Sequence, residues 1–293
     1  MFSRIPTALV ILVLFARATR ADEKADILAK QRASAEAKWK KMAFEKMPPL
    51  EETADFLFCT RLNEAKAKAL TTALEKQYPA MLKALKFDAE SPPWPGKLAV
   101  FIFTDRDEFT EFQRKVEKRS PKEDEAAFFD FKGEESQLVI GVPRGGKSEQ
   151  PEADARHELA KALLARKMGS GEPPGWIVLG FAEAAAYRAA NPKATGRNPA
   201  WKVPALPLAT LWTEDIPAKS RLTYAAYVID YLAFGPLAER FPSFVTALRP
   251  DENERAPSMD EALKAINLDT PTLELCARNW VKPNAPPATK PKK

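Results

Sequence analysis

The first half of the chain alternates between short apolar runs and longer stretches with helical spacing. Residues 54–60 (ADFLFCT) and 97–104 (KLAVFIFT) are apolar runs rich in aromatic and β-branched side chains, which predicts buried strands. Residues 61–87 carry apolar side chains three and four positions apart, which predicts a long amphipathic helix. Residues 105–116 predict a further helix. This half is therefore expected to combine strands with helices.

A polar turn, KGEES, separates two more predicted strands at 126–131 and 137–142, which we interpret as an antiparallel pair. Beyond them the pattern becomes helical. Pro151, followed by Glu152 and Asp154, begins a helix that runs to about Met168 and ends at GSG. The segment PPG then begins a second helix at 176–190.

A proline-spaced connector covers residues 191–217. The remaining predicted helices lie near 222–234, 237–248, 259–266 and 271–281. The expected fold class is α+β: a small mixed β-sheet with helices, a pair of consecutive helices, and a helical C-terminal lobe.

The N-terminus has the pattern of a secretory signal peptide. Arg4 precedes an apolar run at 8–16, and small residues then offer cleavage after Ala18 or Ala21. The run is shorter than the roughly 20 apolar residues of a spanning helix, although a retained membrane anchor is the alternative. We therefore predict a signal peptide at 1–21 and a mature protein that is secreted, periplasmic or part of the cell envelope.

The remaining chain divides by composition. Residues 22–49 are rich in Ala, Lys and Glu and predict a solvated, charged helix that ends at PP. Residues 50–281 form the expected folded domain, and the Pro/Lys-rich tail 282–293 is expected to be disordered. No later segment is apolar enough to span a membrane once the signal is removed.

The net charge of +5 belongs partly to the ends of the chain. The predicted signal contains arginines and no acid, and the tail contains lysines and no acid. The folded part is therefore slightly acidic, which argues against nucleic acid as the main partner.

Two cysteines, Cys59 and Cys276, lie far apart in the sequence. In an exported chain they are compatible with one disulfide or with two unpaired thiols. Their spacing matches no zinc knuckle and no C-x-x-C redox motif.

The sequence HELAK at 157–161 begins like the H-E-x-x-H motif of zinc peptidases. In that motif two His one helical turn apart bind the ion, and the Glu is the general base that acts on the metal-bound water. His157 and Glu158 hold the first two positions, but Lys161 replaces the second His. A protonated ammonium, with a reference pKa of about 10.4, cannot bind zinc.

The helix that follows also contains a segment similar to a known motif. Its segment PGWIVLGFAE, at 174–183, resembles the P-x-W-L-N-E-G-x-A-E segment of gluzincin metallopeptidases. Over residues 53–281 the chain resembles the peptidase-MA-like family of exported bacterial proteins. The resemblance implies that the Glu before the Gly is the third zinc ligand, and Leu179 stands there instead. Glu183 matches the family, and there it would orient the first His.

The resemblance therefore implies a degenerate site, since His157 is the single histidine of the chain. His157 would be a vestigial ligand and Glu158 a vestigial base. We interpret Lys161 as a structural cation that neutralises Glu158 and Glu183. Leu179 is expected to fill the core. The expected packing groups of the second helix are Trp176, Phe181 and Tyr187.

The preferred hypothesis is an exported peptidase-like protein that is non-catalytic, needs no cofactor, and binds a peptide or another envelope protein. The alternative is a metallopeptidase with a weak zinc site and Glu158 as general base. A structural envelope protein without a ligand and a glycosidase-type carboxylate pair of Glu158 and Glu183 are further alternatives. The sequence names no oligomeric state.

Overall fold

The computed structural model describes residues 7–45, 48–123, 125–131, 135–141, 151–194, 198–202, 205–213 and 216–280. The chain forms two compact units. The first comprises Met1–Ala67 and Trp94–Glu149, and the second comprises Lys68–Pro93 and Gln150–Lys293. The tail predicted to be disordered, 282–293, lies outside the described residues.

The first unit contains a five-stranded mixed sheet, which confirms this part of the predicted fold. In chain order its strands are β1 (Glu51–Glu52), β2 (Phe56–Thr60), β3 (Leu98–Ile102), β4 (Ala127–Asp130) and β5 (Gln137–Ile140). Their order across the sheet is β1-β2-β3-β5-β4. The three central strands are parallel, and the two edge strands are antiparallel to their neighbours.

The predicted antiparallel pair is confirmed as β4 and β5, in which Phe128 is opposite Val139. Every residue of β2 is buried, as are four of the five residues of β3. Continuous apolar runs are typical of strands covered on both faces, which explains the sequence of these strands. Strand β1 escaped prediction because its two residues are both glutamates and carry no apolar pattern.

Two predicted helices come before and after the central strand β3 in the chain. Helix α2 (Glu64–Ala84) precedes it, and helix α3 (Arg106–Lys115) follows it. Helix α3 begins at an N-cap, because the Asp105 carboxylate accepts hydrogen bonds from the backbone N–H groups of Asp107 and Glu108. Helix α2 is shorter than predicted at both ends.

Helix α1 (Thr7–Lys40) differs from the solvated helix predicted within residues 22–49. It is one continuous helix that includes residues of the predicted signal peptide, and it ends before Pro48. One of its faces is also buried, because Ala35 and Trp39 join the core beside the sheet, as does Met42 just after the helix ends. Trp39 contacts Phe101 and Phe103, and aromatic burial of this kind outweighs the polar composition of the helix.

The second unit is helical in its described residues. Besides most of α2 it contains α4 (Pro151–Met168), α5 (Gly175–Ala190), α6 (Ala209–Trp212), α7 (Ala218–Ile229), a π-helical segment (Asp230–Phe234), α8 (Phe241–Ala247), α9 (Met259–Lys264) and α10 (Thr270–Trp280). Helices α4 and α5 agree with prediction to within one residue at each end. The helix predicted at 222–234 begins earlier and ends in π-helical geometry.

Among the described residues, no helix combines the length and apolarity needed to span a bilayer.

Both cysteines are free thiols, Cys59 buried on β2 and Cys276 half-buried on α10. Of the two possibilities for this pair, the structure shows unpaired thiols. Burial raises the pKa of Cys59 to about 12, so its thiolate is strongly disfavoured.

Candidate functional site

The candidate site lies on α4 and α5, two consecutive helices of the second unit that pack against each other. Helix α4 carries acids in its first turn and Arg166 and Lys167 in its last, which complements the helix dipole at both ends. Gly169 follows with a φ of 85°, a left-handed conformation that suits glycine and ends the helix. Helix α5 begins directly after Pro174.

His157 and Glu158 are both half-buried on α4. Burial lowers the pKa of His157, and the nearby Lys161 charge lowers it further against the opposing effect of Asp154. Burial raises the pKa of Glu158 to about 7, although the positive charge of Lys161 acts in the opposite direction. His157 is therefore a neutral imidazole at pH 7, and Glu158 is divided between its two protonation states.

Lys161 lies one helical turn after His157, at the position of the second His in the zinc motif. Its ammonium forms an ion pair with the carboxylate of Glu172, in the loop between α4 and α5. The side chain of Lys161 is 27% exposed and that of Glu172 is 73% exposed. Lys161 affects Glu158 through its charge. The role of Lys161 as a structural cation stays a prediction, and the acid that it pairs with is Glu172.

Leu179 and Glu183 lie one turn apart on α5, and both are half-buried. The expectation that Leu179 fills the core is wrong, since the buried core does not include it. Within the described ranges, Glu183 makes no hydrogen bond or ion pair with His157 or Lys161. Its predicted role as the carboxylate that orients His157 therefore stays a prediction.

Two aromatic residues of α5, Trp176 and Phe181, are buried and are packing groups, as predicted. Trp176 contacts Trp212, with ring centroids 4.7 Å apart, and Phe181 packs between Phe234 and Phe241. Tyr187 is half-buried and contacts Trp201 at 5.4 Å. These contacts anchor α5 and fix which of its faces carries Leu179 and Glu183.

Gly180 lies between the aligned ligand position and Glu183, and it allows close packing of α5 on α7. A Cβ added there would lie 2.4 Å from the carbonyl oxygen of Ala225 and 2.7 Å from Cγ1 of Ile229. A side chain at this position would push the two helices apart. The glycine of the resembling segment therefore has a packing role in this protein.

The residues present do not fit the zinc site that the resemblance implies. Among the described residues, no three His, Cys, Asp or Glu side chains come together as a metal-binding group. His157 is the sole histidine, position 161 is a lysine already paired with Glu172, and position 179 has no lone pair. A tight zinc site needs at least three protein ligands, so no metal-dependent step can be derived from this arrangement.

One buried polar cluster of the second unit was not predicted from the sequence. Asp230 is completely buried and accepts two hydrogen bonds from Arg188 and one from Trp280. Its signal in the sequence is a single acid inside the apolar run YAAYVIDYLAF. An isolated charge in such a run predicts a buried partner of opposite charge.

The chain matches no protein-family model and no curated protein sequence. The gluzincin resemblance thus depends on the two sequence segments and on the order of the elements around them.

Proposed function

We propose that this protein is an exported, non-catalytic relative of the gluzincin peptidases, and that it binds a polypeptide instead of hydrolysing it. The observation that carries the proposal is the ion pair of Lys161 with Glu172. It holds an ammonium one turn from the single histidine, on the helix face where a second imidazole would be needed. An ammonium at that place has no lone pair to offer a metal ion.

Two further features support the proposal. The consecutive helices α4 and α5 pack on each other, as the resemblance implies for the two segments that carry the site. Leu179, at the aligned third-ligand position, is half-buried and offers only hydrocarbon. Loss of two ligands lowers metal affinity by more than the roughly 10- to 100-fold typical of losing a supporting hydrogen bond.

A weak metallopeptidase is the second candidate, because one observation favours it. The pKa of Glu158 is raised to about 7, the range in which a carboxylate is effective as a general base near neutral pH. This candidate requires a metal that His157 would have to hold with few other ligands.

Zinc analysis of the purified full chain, after removal of any histidine tag, separates the two candidates. We expect less than one equivalent of zinc and no hydrolysis of a peptide substrate. Stoichiometric zinc that disappears in His157→Ala would overturn the non-catalytic proposal.

Restoring the family's ligands tests the resemblance itself. The double variant Lys161→His, Leu179→Glu should bind about one zinc per chain if α4 and α5 correspond to the peptidase helices. The matched control, Lys161→Gln with Leu179→Glu, removes the ammonium and adds the carboxylate without the imidazole. If the first double variant binds no more zinc than the control, the two segments do not form a peptidase-like site.

Export and polypeptide binding are tested separately. N-terminal sequencing of protein recovered from outside the cytoplasm should begin at residue 19 or 22. Crosslinking of the full chain to a random peptide library should yield adducts on α4 or α5. Absence of adducts there would favour a structural envelope protein.

A further inference from the structure

A cavity of about 690 Å³ lies in the second unit, and none of the candidate site residues on α4 and α5 described above lines it. Its walls come from the end of α2, the end of α5 with the loop that follows, the π-helical segment, and the turn before α8. Sites for small organic ligands typically have volumes of roughly 300–1,000 Å³. The cavity is therefore large enough for a complete small molecule.

The cavity carries an excess of positive charge. Lys83, Lys86 and Arg188 line it, and Glu239 is the acid among the lining residues. Lys86 Nζ lies 2.7 Å from Glu239 Oε2, so these two charges neutralise each other. In the described part of the chain, Lys83 has no ion pair. An anionic ligand would complement the charge of Lys83.

Arg188 supplies hydrogen-bond donors whose geometry is already fixed. Its Nε and Nη2 each donate to Asp230 at 2.7 Å, and its Nη1 donates to the carbonyl oxygen of Ala194 at 2.7 Å. A guanidinium has five N–H groups, so two remain without an acceptor within the described residues. The side chain is 12% exposed and lines the cavity, so these two N–H groups are donors that a ligand oxygen could accept from.

The rest of the wall is apolar. Phe234 presents a half-buried aromatic ring, and Ala80, Ala84 and Ala233 contribute small side chains that leave the space open. Ala233 and Phe234 belong to the π-helical segment, and such segments occur frequently at functional sites. An apolar wall next to cationic donors suits a ligand with one charged end and a hydrocarbon body.

We propose that this cavity binds an organic monocarboxylate with an apolar body. The carboxylate accepts hydrogen bonds from the remaining N–H groups of Arg188 and from Lys83, and the body packs against Phe234. A guanidinium pairs well with a planar carboxylate, and one excess cation matches a single negative charge. The proposal does not depend on the function proposed for α4 and α5.

Calorimetric titration of the full chain tests this with two carboxylates that represent different sources. Decanoate represents a fatty acid, and acetyl-Ala-Ala-Leu represents the C-terminus of a peptide. We expect one of them to bind, and its neutral analogue, decanol or the peptide amide, to bind at least about tenfold more weakly. Which carboxylate binds identifies the source.

Variants locate the binding. Lys83→Gln should weaken binding about tenfold, and Ala80→Trp should abolish it by filling the cavity. Lys76→Gln is the matched control, an exposed lysine two turns earlier on the same helix, and it should bind like the original protein. The proposal is overturned if neither carboxylate binds, if the neutral analogue binds equally well, or if Lys83→Gln binds as tightly as the Lys76→Gln control. The Lys83 test stands even if Ala80→Trp fails to fold.

Discussion

Arg188 holds Asp230 through two parallel hydrogen bonds, Nε to Oδ1 and Nη2 to Oδ2, both 2.7 Å long. Trp280 Nε1 donates to the same carboxylate at 3.4 Å. Burial raises the pKa of Asp230, and the hydrogen bonds and charge of Arg188 act against that rise. This cluster joins α5, the π-helical segment and α10 inside the second unit.

Asp230→Asn should destabilise the protein strongly, because it leaves the mostly buried charge of Arg188 without a counter-ion. We expect a loss of about 3–5 kcal/mol in the free energy of unfolding, measured by urea denaturation. The control Glu111→Gln breaks an exposed pair with Lys115 on α3 and should change stability by less than about 0.5 kcal/mol.

Removing both charges should cost far less than removing one. The double variant Arg188→Met, Asp230→Leu replaces a buried ion pair by hydrocarbon, so much of the lost stability should return. If Asp230→Asn is as stable as the original protein, the ion pair does not hold this part of the fold together.

Gly180→Ala should destabilise the protein although alanine is the better helix former. The new Cβ would lie 2.4 Å from the carbonyl oxygen of Ala225, and backbone cannot move as a flexible side chain can. We expect a net loss of about 2 kcal/mol in the free energy of unfolding, within the range for overpacking a core. Thermal or urea unfolding measures it.

The effect of helix propensity alone is measured by Ala190→Gly, at the exposed end of the same helix. It should cost about 1 kcal/mol or less. A Gly180→Ala protein more stable than the original would show that α5 and α7 do not need this close approach.

Glu158→Gln should stabilise the protein at alkaline pH and leave it unchanged at acidic pH. The carboxyl has an ordinary pKa of 4.5 in the unfolded chain and about 7 in the folded protein. Between these values the folded state binds more protons, so the free energy of unfolding falls as pH rises from about 4.5 to 7 and then stays level. At pH 8 the variant should gain about 2 kcal/mol, a value reduced because the side chain is only half-buried.

His157 affects the pH dependence of the free energy of unfolding in the direction opposite to Glu158. Its folded pKa is lowered below 6.5, so stability rises with pH from that folded value to 6.5. Because His157 is present in both proteins, comparing them isolates Glu158. Glu252→Gln, at an exposed position, is the control, and its stability at pH 8 should match that of the original protein. An equal stability of Glu158→Gln and the original protein at pH 8 would contradict the burial of this carboxyl.

Thiol labelling should distinguish the two cysteines. The thiol of Cys59 is buried, with a pKa of about 12, and should not react with a thiol-specific reagent at pH 8 in the folded protein. Cys276 is half-buried and should react. We expect labelling at Cys276 alone in the native protein and at both cysteines in denaturant. Native Cys276→Ser should remain unlabelled, and rapid labelling of this variant would show that β2 opens readily.

Some of the fold could be predicted because it depends on local pattern. The runs ADFLFCT and KLAVFIFT are apolar throughout, and such runs are stable only where a sheet is covered on both faces. Both ends of α4 and the start of α5 could be predicted, because Pro151, Gly169 and Pro174 restrict or permit particular backbone angles.

The chain's own sequence also determined the chemistry of the candidate site. His157 is the single histidine, Leu179 has no lone pair, and Lys161 has none while it is protonated. The tertiary structure decided which charges meet. Lys161 pairs with Glu172, whereas the sequence pattern predicted Glu158 and Glu183 as its partners.

Contacts between residues far apart in the sequence could not be predicted from the local pattern of apolar and polar residues. Trp39 buries one face of a charged helix in the core. Arg188 donates hydrogen bonds to Asp230, which lies more than forty positions later in the sequence. The strength of such contacts depends on burial and on the direction of side chains, which only the packed chain sets. The sequence by itself thus determined the main strands and helices and the side chains available at positions 157, 161 and 179. The tertiary structure decided the ion pair of Arg188 with Asp230 and the cavity, because these form only when helices far apart in the sequence pack.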